Sequence, residues 1–145
     1  MEDDIKILDT KYWEVFLTRN HAYLGYCVVG LKSKAPTMSQ ISPEEWIEFH
    51  ELILKKLEFA LKKSFGTTLF NWGCLMNYAY RRNPPNPKVH WHFVPRYENK
   101  VEFAGEIFED TEFSNHYDCK RKKIVSREVQ ELIAKEIKKN LDGKK

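Results

Sequence analysis

Lys88-Val89-His90-Trp91-His92-Phe93-Val94-Pro95-Arg96-Tyr97 alternates polar and apolar residues with the two-residue period of a β-strand. Val89, Trp91 and Phe93 then share one face, and Lys88, His90 and His92 share the other, successive members standing about 7 Å apart at a rise of about 3.3 Å per residue. One histidine in such a place is more often a packed or surface residue. A pair on one strand face, bracketed by a proline-rich segment and by Pro95-Arg96, is a candidate site. The preceding stretch, Arg81-Arg82-Asn83-Pro84-Pro85-Asn86-Pro87, is incompatible with a helix interior or a central strand, so it is expected to be a stiff exposed loop.

Outward from this strand, itself read over Val89–Val94, Tyr12–Thr18, Tyr23–Leu31 and Thr67–Met76 are also rich in aromatic and β-branched residues and read as strands. The first two, separated by Arg19-Asn20-His21-Ala22, suggest a hairpin. Ser42-Pro43-Glu44-Glu45 carries a capping-box serine, proline at the first helical position and glutamate three residues after the serine. The helix it starts is expected to reach about Ser64, with Trp46, Phe49, Ile53, Leu57 and Ala60 on its core stripe and Gly66 as the left-handed stop. A second helix, about residues 126–141, places Val129, Leu132, Ile133, Ile137 and Leu141 on one stripe with Gly143 beyond its end. An antiparallel sheet of about five strands flanked by two main helices, class α+β, follows.

A chain of 145 residues supports one domain, and the expectation is a single unit over 1–145 with a disordered tail at 142–145. No run of about 18 apolar residues is present and the start, Met1-Glu2-Asp3-Asp4, is acidic, so neither a membrane span nor a secretory leader is read and a cytoplasmic protein is expected. Cys27, Cys74 and Cys119 form no C-x-x-C pair; reduced, mostly buried thiols are expected. The net charge of +3 is mild and gathers in Lys120-Arg121-Lys122-Lys123 and Lys144-Lys145, which argues against a nucleic-acid surface. Trp13, Trp46 and Trp72 read as core aromatics, and His21, His50 and His116 as structural or surface residues.

Two chemistries fit the histidine pair. H-x-H on a strand can share one cation, but further ligands are needed, and only Glu102 or Asp110 are candidates to arrive through folding. Alternatively an imidazole, with an ordinary pKa near 6.5, is substantially neutral and nucleophilic at neutral pH, and phosphoryl or nucleotidyl groups are its natural targets.

Lys88-Val89-His90-Trp91-His92-Phe93-Val94 resembles the signature of the histidine-triad proteins, three histidines alternating with hydrophobic residues and followed by two more, at six of seven places. The likeness extends over nearly the whole chain: Arg19-Asn20-His21-Ala22-Tyr23-Leu24-Gly25, the Leu31-Lys32 strand end, the Ser42–Trp46 helix start and the Asn71–Asn77 strand are all similar to that family. The tail Tyr97–Tyr117, with Val101-Glu102-Phe103-Ala104-Gly105, looks like the branch labelled diadenosine-tetraphosphate-hydrolase-like. The resemblance implies an antiparallel sheet with two main helices, a homodimer, and a nucleotide or dinucleoside polyphosphate substrate; neither a cofactor nor a metal is expected. It implies that His90 attacks the α-phosphorus to form a nucleotidyl-histidine that water or another acceptor resolves. It also implies that His92 binds the phosphate or assists the leaving group, that Asn77 donates to the phosphate and that Asn20 contacts the ribose.

The chain departs from the family pattern in places that bear on activity. Lys88 stands where the first triad histidine is expected. The family uses the backbone carbonyl of that position to hold the nucleophile's Nδ1–H; lysine keeps the carbonyl, and its ammonium is a candidate to attract phosphate. Lys34 replaces another frequent histidine. Pro84 and Pro85 occupy places where phosphate donors are common, and proline supplies no donor; Arg81, Arg82 and Asn83 are the candidate substitutes. These departures keep open an alternative, a nucleotide-binding or interaction protein without turnover.

Overall fold

Apolar alternation in the chain builds a five-stranded antiparallel sheet in the order β1-β2-β3-β5-β4, seen in a computed structural model that describes residues 3–142. Its strands are β1 (Ile5–Asp9), β2 (Trp13–Leu17), β3 (Cys27–Leu31), β4 (Leu69–Gly73) and β5 (His90–Arg96). A small hairpin, β6 (Val101–Phe103) and β7 (Glu106–Phe108), stands apart from the sheet. Helices α1 (Pro43–Glu48) and α2 (Lys55–Phe65) are joined by a π-helical segment, Phe49–Leu54, into one continuous rod, and α3 (Arg127–Leu141) is the second main helix.

The core lies between one sheet face and these helices. Trp13, Val15 and Leu17 of β2, Cys27 and Val29 of β3, and Phe93 of β5 are fully buried against Ile53, Leu57 and Leu61 of the first rod and Ile133 and Ile137 of α3. Each large aliphatic or aromatic side chain so buried contributes about 1.5–3 kcal/mol of transfer free energy. Polar ties lock the rod's start to β2: Trp13 Nε1 donates to the Glu45 carbonyl at 2.8 Å, and the Glu48 carboxylate accepts from Thr10 Oγ1 and from Tyr12 N, both at 2.6 Å.

Helix punctuation is as read. Ser42 and Glu45 form a reciprocal capping box, and Gly66 adopts φ 68° at the C-cap of α2. Other expectations are corrected. The strand expected over Tyr23–Leu31 begins only at Cys27, because Tyr23–Tyr26 form a turn closed by a Tyr26 N to Tyr23 carbonyl bond of 3.1 Å. The strands read as Thr67–Met76 and Val89–Val94 run over Leu69–Gly73 and His90–Arg96. The wider π turn makes the buried positions Glu45, Phe49, Ile53 and Leu57 step by four residues, which turns Trp46, expected on the core stripe, to 36% exposure. Leu132, also expected inward, is 47% exposed. Gly143 and residues 143–145 of the expected tail lie outside the described residues, whereas Asp142 is the C-cap of α3. No described helix is long and apolar enough to cross a membrane.

Candidate active site

The period of β5 divides its side chains as the sequence requires. Phe93 enters the core, while His90 and His92 stand on the opposite face, paired across the ladder with Gly30 and Val28 of β3. Gly73 of β4 lies beside His92. The two imidazoles are close, with ring centroids 5.1 Å apart and planes at 73°. They form part of the wall of a cavity of about 420 Å³, within the range typical of small-molecule sites.

His90 Nδ1 donates to the Lys88 carbonyl at 2.9 Å, so the neutral ring carries its in-plane lone pair on Nε2. His92 Nδ1 lies 2.7 Å from the Tyr26 hydroxyl. Burial, and then the proximity of His90, hold His92 below the ordinary imidazole range. Burial pushes the Tyr26 phenol up to about 12. The histidine end of the cavity is polar, and Tyr23, Tyr26, Tyr78, Tyr117, Leu75 and Val94 give the rest an aromatic and apolar lining. Such a surface accepts a flat, hydrophobic ring face.

The remaining wall comes from the segment before α3, stitched to the loop after β2. His21 N donates to the Lys123 carbonyl at 2.8 Å and Val125 N to the Arg19 carbonyl at 3.1 Å. Asn20 borders the cavity, but its amide is engaged in this stitching: Oδ1 accepts from Ala22 N and Lys123 N, and Nδ2 donates to the Arg121 carbonyl. Arg121 borders the cavity as well, its charge answered by Glu112 at 3.0 Å. Glu112 is held ionised, its pKa drawn down to about 2 by hydrogen bonds from Thr111 and Tyr23 and by Arg121. The far end of β5 is anchored by a buried ion pair. Asp110 accepts from Arg96 Nε at 2.7 Å and Nη2 at 3.1 Å, while Arg96 Nη1 reaches Asn71 Oδ1 and the Asn115 carbonyl, both at 2.9 Å.

Asn77 is exposed on the cavity wall, at the start of a 3-10 turn, Asn77–Arg81. Lys88 reaches the site through its carbonyl; its side chain is exposed and outside the cavity lining. Pro84 and Pro85 are exposed and also outside the lining, as are Lys34, Arg82 and Asn83; Arg81 packs its guanidinium 3.9 Å over the Tyr78 ring. Of the two carboxylates named for a metal, Asp110 is engaged with Arg96 and Glu102 sits on the separate hairpin; among the described residues no group of three metal-ligating side chains occurs. Cys27 is buried, Cys74 is half-buried, and Cys119, against expectation, is exposed on the cavity wall. His21, expected in a loop, is fully buried there. Sequence reasoning missed Tyr26, Tyr117 and Arg121 as site residues. The signal for Tyr26 was its two-residue step to Val28 and Gly30, visible only once β3 is paired with β5.

Solved structures share this fold over almost the full length of this chain. A histidine triad protein from Sinorhizobium meliloti 1021 superposes with a TM-score of 0.71 at 16% identity, over 96% of this chain and 90% of that one. This chain has the histidine-triad fold. A histidine triad protein from Marinobacter aquaeolei VT8 gives a TM-score of 0.69 at 15% identity, covering 97% of this chain and 90% of its own. The same fold is seen in a diadenosine triphosphate hydrolase from Plasmodium falciparum, solved with cyclomarin A, at a TM-score of 0.62 and 20% identity over 96% of this chain and 77% of that one. No family model matches the sequence, and no curated protein does. The histidine-triad fold is thus carried here by a sequence far from these neighbours, with two histidines where the signature has three.

Proposed function

We propose that this protein binds a nucleotide phosphate ester and turns it over through His90, as a hydrolase or nucleotidyl transferase. The observation that carries the proposal is the 2.9 Å bond from His90 Nδ1 to the Lys88 carbonyl, which leaves the Nε2 lone pair free at the wall of the cavity. Nε2 attacks the α-phosphorus and forms a P–N bond, and the bond from phosphorus to the leaving phosphate oxygen breaks with its electron pair. His90 is then a nucleotidyl-imidazolium whose remaining N–H stays on the carbonyl. Water, or another hydroxyl acceptor, attacks phosphorus from the vacated side, loses its proton to solvent and releases His90 with its lone pair restored. One difficult displacement becomes two easier ones. His92, one strand step away, faces the phosphate oxygens where charge grows. The aromatic lining takes the base, and Asn77 contributes a donor at the rim.

Dinucleoside polyphosphates are the proposed substrates, supported by the Plasmodium falciparum neighbour's description as a diadenosine triphosphate hydrolase. The test is AMP release from diadenosine polyphosphates, ADP and adenosine phosphoramidate by wild type and His90→Ala. Wild type is expected to release AMP, and the variant to lose about 10³-fold or more in rate while still binding nucleotide. Nucleotide binding with no AMP release by wild type would replace this proposal with the binding-module reading that Lys88, Pro84 and Pro85 support.

A further inference from the structure

His90 and His92 project from the same strand face, yet their Nδ1 atoms meet opposite kinds of partner. At His90 the partner is a carbonyl, which only accepts, so Nδ1 carries the proton and Nε2 the lone pair. At His92 the partner is a phenol. A phenol and a neutral imidazole hydrogen bond with the phenol as donor, because the phenol is the stronger acid and the imine-type nitrogen the stronger base. The rings of Tyr26 and His92 lie near-parallel, at 21° to one another with centroids 6.0 Å apart, and the phenol oxygen is in hydrogen-bond reach of Nδ1. The O···N separation of 2.7 Å is that of a well-formed hydrogen bond from a hydroxyl.

We infer that Tyr26 is a positioning residue of the site: by donating to His92 Nδ1 it holds His92 as the Nε2–H tautomer in a fixed orientation, so that His90 offers a lone pair and His92 a proton to one phosphate group. The inference deepens the proposed function and rests on it for the identity of the ligand. Two further facts agree. The Tyr26 phenol keeps its proton, being pushed up to about 12 by burial, and His92 is held below the ordinary imidazole range and is therefore neutral at neutral pH. A neutral His92 with Nδ1 occupied by a donor has one proton, on Nε2, and keeps it: it stabilises phosphate charge by hydrogen bonding and does not transfer the proton, since that would leave an imidazolate. Departure of a phosphate leaving group needs no proton from it.

The experiment uses the full chain, uniformly labelled with nitrogen-15, and long-range proton–nitrogen correlation of the histidine rings above their titration range. Spectra of His90→Ala and His92→Ala assign the rings. Wild type is expected to show His90 as the Nδ1–H tautomer and His92 as the Nε2–H tautomer, with His92 Nδ1 at the position of a hydrogen-bonded acceptor. In Tyr26→Phe the His92 Nδ1 resonance moves to the range of an unbonded acceptor, while the His90 pattern and the melting temperature hold. With a substrate that turns over, the same variant lowers kcat about tenfold, the worth of one aligned hydrogen bond, and leaves KM nearly unchanged. A His92 that carries its proton on Nδ1, or ring nitrogens and kcat indifferent to Tyr26→Phe, overturns the inference. Failure of wild type to release AMP overturns the proposed reaction instead, and the nitrogen spectra still decide whether Tyr26 sets the tautomer.

Discussion

The buried ion pair at the far end of the site strand ties β5 to the segment after β7, and Asp110→Ala tests it. Arg96 and Asp110 are 2% and 8% exposed, and the carboxylate accepts four hydrogen bonds: two from the guanidinium, one from Tyr97 N at 3.1 Å and one from Glu112 N at 3.2 Å. Removing the acid leaves a buried guanidinium hydrogen-bonded to the Asn71 side chain and the Asn115 carbonyl and near the Tyr23 ring, with no counter-charge from Asp110, and frees two main-chain donors. Breaking a buried pair from one side costs about 3–5 kcal/mol, a large share of the 5–15 kcal/mol typical of a whole domain. Urea unfolding followed by tryptophan fluorescence is expected to show that loss, with a fall in Tm of about 10 °C or more. The double variant Arg96→Met, Asp110→Leu is expected to recover part of it, because no unpaired charge then remains buried. A loss below about 1 kcal/mol, the range of an exposed pair, would refute the assignment of this contact as a desolvated anchor of β5.

Two other outcomes follow from the backbone and from burial. His21 donates through Nε2 to the Thr18 carbonyl and accepts the Gly25 N–H on Nδ1, so protonation has no place to go; burial draws its pKa down to about 4. The unfolded chain therefore binds a proton near pH 6.5 that the folded one refuses. The associated stability is complete above about pH 6.5 and is lost, on the order of 3 kcal/mol, as pH falls towards 4; urea melts of His21→Gln against wild type across that window should show the slope disappear. In the β6–β7 turn Ala104 and Gly105 have φ of 54° and 77°, a two-residue connection that asks for left-handed backbone at both places. Ala104→Gly is expected to raise stability by about 0.5–1 kcal/mol, and an unchanged or lower denaturation midpoint would contradict that reading.

How far the fold was legible depended on whether its signals were local. Helix starts were, because the Ser42–Glu45 box and the Ser126 cap are made by neighbouring residues. The alternation in Lys88–Val94 was legible for the same reason: a period of two needs only the strand itself. β1 was missed because it is a five-residue edge strand, Ile5–Asp9, whose alternation is broken after Ile7 by a register shift between Lys6 and Leu8. The π segment was missed because widening of a helix answers to packing against the sheet, here Phe49 against Trp13 and Trp91, and leaves the apolar spacing looking α-helical. Within the site, His90 and His92 announced themselves as a pair. Tyr26, Tyr117 and Arg121 did not, since each reaches the cavity from a turn or loop whose course is set by distant bonds, Asn20 to Lys123 among them.

The orientation of His90 depends on a main-chain atom of Lys88 and on nothing in that residue's side chain. Every amino acid supplies the same carbonyl, so evolution is free to vary position 88 without disturbing the imidazole two residues later. What such drift changes is the exposed surface outside the cavity: its charge and its bulk. A tally of histidines therefore undercounts what the proposed reaction asks of this strand, since substitutions at position 88 leave the carbonyl that orients the His90 imidazole in place.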